Sequence, residues 1–86
     1  MHSNDIRYIK IRSYISAKII YEYLNGECFI KTEDGMGTRV IVSVPDDSGV
    51  LVEDPDTGIE EFIEISKLYL EESKHIRLLE IKQQRS

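Results

Sequence analysis

The chain has 86 residues, of which 41% are hydrophobic, with one cysteine, no tryptophan and a net charge of -5. That length supports one small domain, residues 1–86, and a lone thiol excludes any internal disulfide. No apolar run approaches the roughly 18 residues of a membrane span, and the overall acidity argues against non-specific attachment to DNA or membranes.

The opening MHSNDIRYIKIR lacks the uninterrupted apolar segment of a signal peptide, which makes a cytoplasmic location the default expectation. Within it, Ile6 to Ile11 has the composition of a strand. Next, SAKIIYEYL and ECFIKT flank Asn25-Gly26, and Asn-Gly between β-branched and aromatic runs is a strong hairpin signal. Pairing outward from that turn sets Tyr23 opposite Cys28 and Tyr21 opposite Ile30. A helix competes for residues 14–24, with Ser16 as its cap, Ile15, Ile19 and Tyr23 recurring every four residues, and Gly26 as terminator. The density of Ile and Tyr favours the hairpin.

EDGMGT, residues 33–38, reads as a flexible loop and Arg39 to Val44 as a strand. Pro45 to Gly49 is a turn by composition, followed by a strand from Val50 to Glu53 and a returning strand from Ile59 to Ile65. SKLYLEES suggests a helical turn capped by Ser66, Ile76 to Ile81 a last strand or short helix, and residues 82–86 a frayed tail.

Five to seven short strands at this spacing predict a mainly β fold, either a small barrel or a bent antiparallel sheet, with one or two short helical segments. The stretch from Val40 to Leu70, two hairpin-like pairs followed by ISKLYL, resembles the latter part of an SH3-like or KOW-like barrel. The resemblance covers about a third of the chain, rests on pattern alone, and implies a fold that hosts many functions.

DPDTG, Asp54 to Gly58, invites comparison with a calcium loop. An EF-hand loop starting at Asp54 needs glycine at its sixth position and glutamate at its twelfth, where this chain has Ile59 and Ile65. A turn is the simpler reading, with Pro55 fixing φ and Gly58 supplying the left-handed residue. Catalysis by Cys28 would require His2 or His75 as base, with no signature around either, and one cysteine with two scattered histidines does not make a zinc site. No phosphate loop, dinucleotide fingerprint or nucleophile elbow is present. The expectation is therefore a non-enzyme with no cofactor, metal or catalytic residue.

Charge segregation carries the functional reading. Residues 1–18 and 73–86 each carry +3, and residues 19–72 carry -11. Eight acids and no base lie between Asp46 and Glu64. Asp46, Asp47, Glu53, Asp54, Asp56, Glu60 and Glu61 form the candidate protein-binding face, suited to a basic protein partner of an adaptor, regulator or acidic-surface inhibitor. A solvated surface that keeps strand edges from aggregating explains the same acids without a partner. The alternative is a small nucleic-acid-binding module that uses Arg7, Tyr8, Lys10 and Arg12, where an aromatic ring is interleaved with cations.

Overall fold

Ser13 decides the fate of the first ambiguous segment. Its hydroxyl accepts the Ser16 backbone N–H at 3.2 Å in the computed structural model, which describes residues 5–85, and so caps a helix. This helix, α1 (Tyr14–Tyr23), follows a short strand, β1 (Tyr8–Lys10). The expected pairing of Tyr23 with Cys28 and Tyr21 with Ile30 is therefore replaced by a helix. The Ile20 carbonyl accepts both Leu24 N–H and Gly26 N–H, and the chain leaves through Asn25 at φ 60° and Gly26 at φ 73°. Those positive angles are the ones a tight hairpin turn demands, so Asn-Gly serves either ending. The buried stripe consists of Ser16, Ala17, Ile19 and Ile20, whereas Ile15 and Tyr23 are exposed.

The remaining strands are β2 (Glu27–Thr32), β3 (Gly35–Ile41), β4 (Val50–Glu53), β5 (Glu60–Ile63) and β6 (Tyr69–Glu71). They form one antiparallel sheet in the order β1-β6-β2-β3-β4-β5. The sheet is not closed, so the chain adopts the bent-sheet form of the expected mainly β architecture, and β1 and β5 are its edges. EDGMGT is not a loop. Glu33 and Asp34 alone make the turn, the Thr32 hydroxyl accepting Asp34 N–H and donating to Gly35 O, and Gly35 onward is β3. Gly37 sits inside that strand because a Cβ there would lie 2.9 Å from Thr32 Cγ2.

A 3-10 turn (Ile65–Lys67), preceded by Glu64 rather than capped by Ser66, leads into β6. The chain then enters α2 (Glu72–Arg85), which contains both the segment expected to be a strand or short helix, Ile76 to Ile81, and residues 82–85 of the expected tail. Leu78 and Ile81, one turn apart, are its buried positions.

Ile11, Ile20, Ile41, Val52, Leu68, Leu70 and Leu78 belong to a single core shared by the two helices and one face of the sheet. Val50, Val52 and Ile63 from β4 and β5 join the same cluster, which requires the sheet to bend around its helices. Each fully buried Leu or Ile contributes about 1.5–3 kcal/mol. Among the described residues, no helix lies on the opposite face of the sheet.

Candidate functional site

The acids do not share one face. Glu53 and Glu60 are direct cross-strand partners on the helix-free side of the β4–β5 hairpin. Such a like-charge pair costs about 0.2–1 kcal/mol. Glu61 has Val52 as its partner and therefore has the opposite parity. Asp46 is occupied by its own loop, its Oδ1 accepting the Ser48 hydroxyl at 2.6 Å and the Ser48 N–H at 2.9 Å. These bonds, the hydroxyl's first, hold its carboxyl below the usual carboxylate range. Asp47 is exposed beside it.

DPDTG is the tip of the β4–β5 hairpin. Asp54 N–H donates to Ile59 O at 2.9 Å, Gly58 N–H donates to Asp54 O at 2.7 Å, and Gly58 has φ 77°. Asp54 Oδ1 accepts Asp56 N–H at 2.9 Å, and Oδ2 lies 3.7 Å from the Arg39 guanidinium. Asp56 stays exposed at the tip. Asp46 and Asp54 are thus structural turn residues, which leaves Glu53 and Glu60 as a paired surface charge.

Beside that pair lies a feature that composition does not reveal. Leu51 and Phe62 are cross-strand partners, and Val42 N–H donates to Leu51 O at 3.0 Å, so Val42, Leu51 and Phe62 form a row on the helix-free face. Phe62 is 59% exposed and Val44, just beyond the row, 62%. Alternation along β5 puts Glu60 and Glu64 on the same face as Phe62. The Phe62 ring leans over Gly49, where a Cβ would meet its Cε2 at 2.7 Å. The sequence signal is EEFIEI, in which Phe62 keeps step with Glu60 and Glu64 while Ile63 keeps step with Glu61. Only the register shows that Ile63 is the buried partner.

This row ends at the open edge of the sheet. Because Asp54 N–H donates to Ile59 O, the alternating ladder turns the backbone groups of Ile59, Glu61 and Ile63 toward β4. The N–H and C=O groups of Glu60 and Phe62 then face outward, where no strand follows among the described residues.

The basic candidates separate as well. Arg7 pairs with Glu72 at 3.1 Å. Tyr8 and Lys10 lie on the helix-free face with Phe29 and Tyr69, and the rings of Tyr8 and Phe29 meet edge-on at 5.0 Å. Lys10 and Lys31 hold their ammonium groups 5.9 Å and 5.8 Å from the Tyr69 ring centre. Arg12 follows β1 and lines a groove of ≈ 430 Å³ between that linker and α2.

Cys28 is buried, its Sγ 3.7 Å from Arg39 O, and burial pushes its thiol up from 9.0 to about 12 despite the nearby Arg39 charge. It is therefore protonated at neutral pH and ill suited to nucleophilic attack. His75 lies in the α2 groove, and His2 falls outside the described residues. Among the described residues, no three His, Cys, Asp or Glu side chains are grouped as a metal ion would need, and no helix is long and apolar enough to cross a membrane.

No family model, curated protein or solved structure matches the chain. The likeness to SH3-like and KOW-like barrels gains no support from these comparisons.

Proposed function

We propose that this chain is a non-catalytic protein-binding domain that acts as an adaptor or regulator, and that it receives its partner along the free edge of β5. The observation that carries this reading is the apolar row Val42–Leu51–Phe62, exposed at Val42 and Phe62 and half-buried at Leu51, which runs to an unpaired strand edge and is flanked by Glu53, Glu60 and Glu64. An apolar centre with an aromatic anchor and a charged rim has the anatomy of a protein interface. Outward N–H and C=O groups on an edge strand accept an added strand, main-chain bonds giving affinity and the flanking side chains specificity.

The chemistry of the partner follows from the surroundings. A cation from the incoming chain relieves the repulsion between Glu53 and Glu60, and its apolar side chains cover Phe62 and Leu51. The partner is thus an extended basic and apolar segment. This reading moves the important acids away from Asp46 and Asp54, which serve their own turns, and onto Glu53 and Glu60.

The test is affinity capture from the native cell extract with the wild-type chain and Phe62→Ser side by side, eluting with rising salt. A partner retained by the wild type, released by salt and lost from a Phe62→Ser chain that keeps its circular dichroism supports the proposal. Equal retention by Phe62→Ser contradicts it. Truncating a central aromatic anchor costs about 2 kcal/mol or more, roughly 30-fold in affinity.

A further inference from the structure

At the opposite edge of the sheet, we infer that a single strand of nucleic acid binds across β1, with one base on Tyr69 and its phosphates following Lys10 into the groove beside α2. The inference uses none of the residues that carry the protein-binding reading, although Glu61 and Ile63 of β5 also line the surface around Tyr69.

Two concave surfaces meet at Lys10. One, of ≈ 490 Å³, opens around Tyr69 and is lined by Lys10, Lys31 and Lys67, with Glu61 as its carboxylate. The other, of ≈ 430 Å³, runs between the Ile9–Ser13 segment and α2, and its cations are Lys10, Arg12 and Lys82 with no carboxylate in its lining. The ion pairs among the described residues use Arg7, Arg39, Lys74 and Arg85, and none uses these five cations. In a chain of net charge -5, five cations without carboxylate partners along one continuous path are charge-complementary to a polyanion.

Tyr69 distinguishes a nucleic acid from other polyanions. Its ring is half-buried on the helix-free face, with the ammonium groups of Lys10 and Lys31 poised over it. A base stacking there displaces the two ammonium groups onto the phosphates that flank it, so stacking and charge neutralisation use the same residues. Tyr8 is not the platform. It packs edge-on against Phe29 and has Glu71 as its cross-strand partner, and Glu27 lies on the same face, held by Lys74. The path therefore crosses the Tyr69 end of β6 and turns into the α2 groove through Arg12 and Lys82. Ser13 and Ser16 line the same groove, the Ser13 hydroxyl donating to the Ser16 hydroxyl at 3.1 Å.

Fluorescence anisotropy with labelled oligothymidylate and oligouridylate of about eight nucleotides provides the test. With four phosphate contacts, from Lys10, Lys31, Arg12 and Lys82, affinity is expected to fall about 50-fold between about 50 and 200 mM salt. Arg12→Gln with Lys82→Gln reduces that fall to about sevenfold. Tyr69→Leu weakens binding about 5-fold or more, and Tyr69→Phe restores it. Phe62→Ser leaves it unchanged. The inference is overturned by no binding at low salt, a salt dependence untouched by the Arg12/Lys82 pair, or a Tyr69→Leu variant that binds as wild type. Oligoglutamate of similar length binding as tightly through the same cations also overturns it, and points to an acidic protein segment instead.

Discussion

Leu70→Ala is expected to remove about 2–5 kcal/mol of stability. Leu70 is fully buried on β6, the strand that joins β1 to β2. It has Ile9 as its cross-strand partner and belongs to the core that receives Leu78 and Ile81 from α2. Truncation leaves a cavity at the seam between sheet and helices. An 86-residue domain buries only about 60–65% of its unfolded surface, so one lost leucine is a large share of a total of about 5–15 kcal/mol. Urea titration reports this as a drop in midpoint with unchanged slope. The control is Leu79→Ala, one residue along α2 from Leu78 but 44% exposed, where the change stays within about 0.5 kcal/mol. Equal losses at Leu70 and Leu79 would refute the assigned core.

Gly26→Ala is expected to destabilise by at least about 2 kcal/mol, and by clearly more than Gly58→Ala. Both glycines have positive φ, 73° and 77°, so the backbone penalty for an L side chain is common to them. Their surroundings differ. At Gly26 an added Cβ lies 2.8 Å from Ile41 O and 3.2 Å from Ile41 N, because Ile41 N–H donates to Gly26 O and the two backbones lie together. At Gly58 nothing lies within 4 Å. The difference between the two variants isolates the closeness of the α1–β2 junction to the end of β3. Thermal or urea unfolding measures it, and equal effects would mean that this approach is absent.

The two glycine sites also illustrate what could be read in advance. The hairpin at DPDTG was legible because β-branched and aromatic residues flank it, its proline and glycine stand where a turn wants them, and nothing downstream competes. Asn25-Gly26 was not, because its two residues adopt the left-handed angles that suit a hairpin tip and a helix end alike. Choosing between them required a non-local fact, that β2 finds its partner in β3 through a two-residue turn at Glu33-Asp34. Gly35 and Gly37 hid that strand, since Gly35 is explained by its φ of 115° at the turn and Gly37 by its closeness to Thr32 and Arg39, neither of which the sequence displays. In α2 the buried residues are only Leu78 and Ile81, too few for a strong helical periodicity, and the polar QQR ending resembles a tail.

The candidate site divides in the same way. The acids from Asp46 to Glu61 were visible from composition, yet composition does not say which of them serve turns. Asp46 and Asp54 proved to be turn residues through bonds to Ser48, Asp56 and Arg39. The exposed row through Phe62 depended on the β4–β5 register, because shifting that pairing by one residue would bury Phe62 and expose Ile63. On the basic side, Tyr8 and Lys10 were visible as interleaved charge and ring, whereas Phe29, Lys31 and Tyr69 join them only through strand pairing.

The most direct measurement of the central claim is amide hydrogen exchange, residue by residue, on the free chain and on the chain saturated with its captured partner. In the free chain the outward amides of Glu60 and Phe62 are expected to exchange fast, and those of Glu61 and Ile63, turned toward β4, slowly. On binding, Glu60 and Phe62 are expected to become protected at least about tenfold as an incoming strand takes up their N–H groups. Unchanged exchange at both positions in the saturated complex would contradict strand addition at β5, wherever else protection appeared.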